Sequence, residues 1–263
     1  MTAFILLLIL LTCATAFYWI KRSASRSIPG TTPAEYPRLL ETHVKYYRNL
    51  NPGQKQVFTD RVQTFLKQVH IEGVGTEITL TDQVLVAASA IIPIFGFSGW
   101  RYPNLTNVIL YPDTFDEEFQ FVGSGRTMMG MVGTGYMTGQ MLLSKTALHA
   151  GFAHEDAKQN TPIHEFVHLL DKTDGATDGI PELLMEQRSL EPWLSLMHGE
   201  MEKIRNGESD INPYALKGDA EFFAVISEYY FQQPHLMVEI HPQIYKMLCQ
   251  FYRQDWVQET AGS

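Results

Sequence analysis

Two histidines four residues apart, with a glutamate beside the first, stand at His164-Glu165-Phe166-Val167-His168. On an α-helix that spacing projects both imidazoles from one face, one turn apart. They can then take two corners of one zinc tetrahedron. Glu165 falls within reach of a water on that metal and can serve as its general base. The competing reading is a helix with two ordinary hydrogen-bonded histidines, because the bare five-residue pattern also arises by chance.

A zinc ion that keeps a water needs a third protein ligand. A carboxylate on a second, downstream helix can supply it. Glu221 and Glu228 fall near one face of a strong helix predicted from Asp219 through Tyr230, with Gly218-Asp219 at its start. Both remain candidates on spacing alone. Asp171 lies three residues past His168 on nearly the same face. It either orients a ligand histidine through the free ring N–H, or caps the helix end or pairs with solvent. Glu228 is a weaker candidate for the same orienting work, against a plain structural carboxylate. Tyr214, in the loop before the downstream helix, is a candidate donor to a tetrahedral oxyanion, against a packed aromatic.

These residues need a scaffold. Thr161 or Asn160 can cap the metal helix, Pro162 suits its first position, and Asp174-Gly175 reads as its stop. Phe166, Val167, Leu169 and Leu170 predict that it is buried on most sides. Upstream, Tyr36 to His70 reads as two helices broken at Asn51-Pro52-Gly53. Ile71 to Leu80 reads as a strand or hairpin. Val84 to Ile92 reads as a buried helix capped by Thr81 or Asp82 and stopped by Pro93. Val108 to Tyr111 and Met141 to Ser144 are short apolar runs of strand type. Phe121 to Gln140, rich in Gly and Met, is a flexible loop or hairpin, or else an edge along which a peptide could lie as an added strand. A polar helix is predicted around Pro192 to Arg205.

The chain has 263 residues and a formal net charge of −9, which argues against nucleic-acid binding as its main activity. Cys13 and Cys249 are its only cysteines, so there is no disulfide framework and no Cys-rich zinc site. Phe4 to Ile20 is uncharged and mostly apolar, and Lys21, Arg22 and Arg26 follow it. The run is at the short end for a membrane span. Positive charge on its C-terminal side predicts an anchor in the cytoplasmic membrane with the remainder facing the cytoplasm. The alternatives are a cleaved secretory signal, given Ala14-Thr15-Ala16 but no basic start, and a lipoprotein signal at Cys13. The organisation expected is a hydrophobic anchor or signal-like helix over 1–22, a linker over 23–37, one domain over 38–256 and a tail over 257–263.

The block around His164 and His168, the Ile211-Asn212-Pro213-Tyr214-Ala215 stretch, and Ala220-Glu221-Phe222-Phe223-Ala224-Val225-Ile226-Ser227-Glu228-Tyr229 together resemble the Mlc titration factor A family of zinc peptidases. So does the closing Cys249-Gln250-Phe251-Tyr252-Arg253-Gln254-Asp255. The resemblance spans about residues 40 to 256. It implies an α+β, zincin-like metallopeptidase domain, predominantly helical with a small mixed sheet. It implies zinc as cofactor, held by His164, His168 and Glu221, with Glu165 as the catalytic glutamate, and so decides between Glu221 and Glu228. It implies peptide or protein substrates, aminopeptidase-like action, and a transcription repressor, Mlc, as partner. A regulatory protein that captures such a repressor and keeps zinc for structure is the alternative. The N-terminal hydrophobic segment and the Gly/Met-rich Phe121 to Gln140 depart from the family pattern.

Overall fold

The computed structural model describes residues 34–257, apart from 117, 123, 124, 134, 182, 183 and 186–188, with the backbone alone at 136. The expected anchor and most of the expected linker lie outside the described residues, as does all but the first residue of the tail. Among the described residues no helix is long and apolar enough to cross a membrane.

Helix α1 (Glu35–His43) begins inside the stretch read as linker. Pro37 is tolerated there because N–H groups of a first turn have no intrahelical acceptor. A short α2 (Lys45–Arg48) leads to α3 (Pro52–Gln68). Asn51 caps α3, and its side chain and that of Gln54 exchange hydrogen bonds with each other's backbone N–H. Strand β1 (His70–Gly73) follows, then α4 (Leu80–Ile94). The residues after β1 do not return as a hairpin; β1 pairs in parallel with β2 (Asn107–Tyr111) instead. Two expectations for α4 are corrected. Its cap is Thr79, whose side chain accepts from the Asp82 N–H while Asp82 accepts from the Thr79 N–H. Pro93 does not end it, because a proline in the last turn removes one hydrogen bond only. The guanidinium of Arg61 donates to the carbonyls of Ile94 and Phe95 at the end of α4.

The sheet runs β1-β2-β4-β3, with β3 spanning Gly130–Val132 and β4 spanning Gln140–Ser144. β2 and β4 are parallel, and β3 is antiparallel to β4 at the edge. Val108, Leu110, Met141 and Leu143 are buried in the main core. On the other face Leu142 joins Tyr111 and Phe115 in a smaller cluster. Met128, Met131 and Met137 pack against it, so the Gly/Met-rich stretch covers the outer face of the sheet. Methionine suits this irregular cover because its unbranched chain fills uneven gaps.

After β4 come α5 (Lys145–Ala153), α6 (Thr161–Asp171), α7 (Leu190–Arg205), α8 (Asp219–Gln232), α9 (Pro234–Ile240) and α10 (Pro242–Tyr252). The result is an α+β domain, mostly helical, with one small mixed sheet. α4 is apolar on nearly every face and lies among α1, α3, α5 and α6. α6 packs against α8, and Trp193 of α7 is fully buried against Phe222, Phe223 and Phe251.

Asp210 ties the loop before α8 to three elements. It accepts from Lys158 and from the Tyr229 hydroxyl, and His241 Nε2 lies 2.6 Å from its other oxygen. Burial opposes its charge, but these partners hold its carboxyl down at about 2 against the ordinary 3.8. A depressed folded-state value stabilises above the unfolded value, and that contribution disappears as pH falls through the folded one. The stability difference between wild type and Asp210→Asn, from denaturant titrations, is therefore expected to be full above about pH 4 and to shrink toward pH 2. A difference independent of pH across that window would show that the clasp is not ionic.

Candidate metal centre

Helix α6 is fixed at its start by Asn160. Its Oδ1 accepts from the Ile163 N–H at 3.2 Å, its Nδ2 donates to the Gly151 carbonyl at 2.8 Å, and its own N–H donates to Glu228. Asn160 is thus the cap, with Thr161 first and Pro162 second in the helix. The helix ends at Asp171, and Gly175 takes a left-handed conformation after one turn of 3-10 helix. Pro162 through Val167 are all buried, whereas Leu169 is only partly so.

The structure brings His164, His168 and Glu221 together. Nε2 of His164 lies 3.0 Å from Nε2 of His168 and 3.0 Å from Oε2 of Glu221; the remaining separation is 3.6 Å. Around a tetrahedral zinc with bonds of ~2.0–2.1 Å, ligand atoms stand about 3.3–3.4 Å apart. The three atoms therefore span a face of the right size. Their chemistry fits as well. His164 Nδ1 faces Glu228 Oε1 at 2.7 Å, so a neutral His164 carries its proton there and presents a lone pair from Nε2 to the centre. Lone pairs from two imidazoles and a carboxylate converging on one point call for a cation. With only a proton available, burial disfavours the His164 imidazolium. The hydrogen bonds to Glu221 and Glu228 outweigh this and hold its pKa well above the usual value. Burial likewise opposes the Glu221 carboxylate, and the two histidines pull its pKa far below the ordinary range.

Glu165 is buried, and burial raises its carboxyl pKa even though His164 and His168 draw it back. What confines it is a residue the motif did not reveal. Gly130 of β3 approaches so closely that a Cβ there would sit 2.6 Å from both Cγ and Oε1 of Glu165. A glycine in a Gly-rich stretch was the only sequence signal, and it did not say which glycine meets the helix. Gly130→Ala is expected to displace the Glu165 carboxylate and to lower turnover by about 10- to 100-fold, with metal content unchanged. Turnover within a factor of two of wild type would mean that the carboxylate has room to spare.

Glu228 is buried and accepts from His164 Nδ1 with one oxygen and from the Asn160 N–H with the other. Asp171, read from spacing as the other orienting group, does not hydrogen-bond a ligand histidine. Its Oδ2 accepts from the Gly179 N–H at 2.9 Å, while its Oδ1 and His168 Nδ1 are buried without partners. The loop after α6, and not the imidazole, supplies the donor to this carboxylate. Burial, in spite of the Gly179 hydrogen bond, raises the Asp171 pKa to about 6. Tyr214 is exposed, its ring meets that of His164 edge-on at 5.9 Å, and Lys217 Nζ stands 3.9 Å above the ring. It is not packed in the core. Beside the site, the turn between β3 and β4 and the last turn of α6 enclose a cavity of about 240 Å³, with Val132, Leu169 and Lys172 on its walls.

A helix bearing His164, Glu165 and His168, facing a glutamate on a second helix of an α+β domain, has the architecture of a metallopeptidase. The family profile described as glucose-regulated metallo-peptidase M90 matches residues 18–253, and the chain belongs to that family. Among its relatives is an uncharacterized protein of Synechocystis sp., 26% identical over 254 residues, covering 89% of both chains. Another is Mlc titration factor A of Klebsiella pneumoniae strain 342, 27% identical over 240 residues, covering 86% of this chain and 88% of the relative. The protein of the same name from Pectobacterium atrosepticum is 29% identical over 222 residues, covering 78% and 81%.

Proposed function

We propose that the protein is a zinc-dependent peptidase of zincin-like fold, in which His164, His168 and Glu221 hold the metal and Glu165 is the general base. The observation that carries this is the convergence of three donor atoms at 3.0, 3.0 and 3.6 Å beside a buried carboxylate. Held by His164, His168 and Glu221, zinc would supply a Lewis acid able to lower the pKa of a water toward about 7 and to polarise the scissile carbonyl. Glu165 takes one proton from the attacking water and delivers it to the leaving amine. The C–O bond forms, the C–N bond breaks, the second water proton follows the first to the amine, and a carboxylate and an ammonium leave. Glu228 orients His164 through Nδ1, and Tyr214 donates to the developing oxyanion. β3 ends the sheet beside Glu165, so an extended peptide can add along it as a further strand. The cavity at the end of α6 then takes one of its side chains.

Aminopeptidase-like action is the finer form of this reading. Zinc-loaded protein assayed on aminoacyl and internally quenched peptides tests both, with turnover of the first class alone expected. Cleavage of quenched peptides would make it an endopeptidase. A second reading, capture of a transcription repressor with zinc kept for structure, is favoured by the titration-factor names of relatives. Bound zinc with no turnover on any peptide would establish it over catalysis. A cytoplasmic-membrane anchor over residues 4–20 belongs to the same proposal. The full chain is expected to sediment with membranes and a form lacking residues 1–26 to stay soluble; equal solubility would remove the anchor.

A further inference from the structure

On the Phe166 side of α6, the end of α3, the end of α4 and the stretch 99–105 enclose a second cavity, of about 230 Å³. Phe65, Ile91, Trp100 and Tyr102 give it apolar walls, and Arg61 and Arg101 are its charged groups; no acidic residue lines it. Phe65 and Tyr102 also pack against Phe166, with ring centroids 5.9 and 5.2 Å away, so two rings of the cavity wall stand between it and the back of α6.

The charge here is unbalanced. Arg61 is partly buried and donates Nη1 to the Phe95 carbonyl at 2.9 Å and Nη2 to the Ile94 carbonyl at 2.8 Å. A guanidinium carries five N–H donors, and Arg61 has no acidic partner among the described residues. Burial draws its pKa down, which marks the cost of a positive charge removed from water without an anion. Trp100, in the same wall, has a buried N–H with no acceptor.

We propose that this cavity binds a small molecule bearing one carboxylate on an apolar, ring-sized body. The carboxylate seats on Arg61, whose planar fork matches it, and the body lies against Phe65, Trp100 and Tyr102. An apolar cavity of about 150 Å³ already takes benzene, so this one has room for a ring and a short acid arm. A phosphate dianion would lose more hydration than one half-buried guanidinium replaces. The site is separate from the metal ligands and does not depend on peptidase activity.

The test is calorimetric titration of the full chain with phenylacetate, 3-phenylpropionate and indole-3-acetate, with 3-phenylpropionamide and 3-phenylpropyl phosphate alongside. Saturable binding of at least one acid is expected, at least tenfold tighter than the amide or the phosphate. The indole N–H resonance that is lost in Trp100→Phe should shift on adding that acid. Arg61→Gln should weaken binding at least tenfold and Arg61→Lys less. Because Arg61 also holds two carbonyls, Thr64→Glu is the companion variant. It sits on an exposed rim position one helical turn away, supplies Arg61 with an internal carboxylate, and should also weaken acid binding at least tenfold. No saturation by any of the three acids, equal binding of the amide, or unchanged affinity in Thr64→Glu would each overturn the proposal.

Discussion

Glu165→Gln is expected to retain its metal and to lose hydrolysis by about 10²–10⁴-fold, the usual contribution of a positioned general acid–base. Glutamine matches glutamate in shape and can still point an oxygen at water, but it cannot take a proton and return it. The side chain is wedged between α6 and Gly130, so the amide should occupy the place of the carboxylate without moving the ligands. Zinc content by atomic emission and turnover by a peptide assay must be read on the same sample. Retained zinc with a rate within tenfold of wild type would remove Glu165 from the chemistry. Lost zinc would mean that the substitution had disturbed the histidines and tested nothing about proton transfer. Glu165→Asp, which withdraws the carboxylate by one methylene, separates the two cases, since it keeps the charge and misplaces only the base.

The second large effect is at Glu228. Truncation to alanine removes the acceptor for two buried donors at once, His164 Nδ1–H and the Asn160 N–H. Each orphaned donor costs about 1–3 kcal/mol. For a domain of this size each 1 kcal/mol lowers the melting temperature by about 2–4 °C. Loss of the group that orients a metal-binding histidine also weakens metal affinity by about 10–100-fold. Glu228→Ala is therefore expected to lower both melting temperature and zinc affinity, measured against a competing chelator. Glu228→Gln should fall between, because one amide oxygen still accepts while the NH₂ faces a donor. A Glu228→Ala variant with wild-type zinc affinity would show that His164 needs no support on its far side.

The metal helix, the downstream helix with Glu221 and three of the four strands were legible because each is encoded locally. A four-residue histidine spacing, a Pro near a helix start and a four-residue apolar run all act within one element. The family blocks around Glu221 implied a choice that spacing left open, and Glu221 is the one that converges with the two histidines. What escaped was set by distant chain. Asp171 and Glu228 are both carboxylates at helical spacing from a plausible ligand, and sequence offered no means of seeing that Gly179 would claim the first while α8 brought the second to His164. The cap of α4 was misplaced by two or three residues because Thr79, Thr81 and Asp82 are all good capping types. Only the reciprocal bonds between Thr79 and Asp82 distinguish them. Gly130 was invisible among other glycines until β3 lay against Glu165.

Gly179 joins more than one part of this arrangement. Its N–H goes to Asp171 at the end of α6, its carbonyl accepts from Trp193 Nε1 of α7, and its backbone is left-handed at φ 75°. A Cβ there would come within 2.3 Å of the Asp219 carbonyl at the start of α8. The helix that carries His164 and His168 and the helix that carries Glu221, packed directly against each other, meet again at this one residue. A side chain at 179 would push against the start of α8, so the bare backbone there is what lets these helices close to the spacing at which His164, His168 and Glu221 converge.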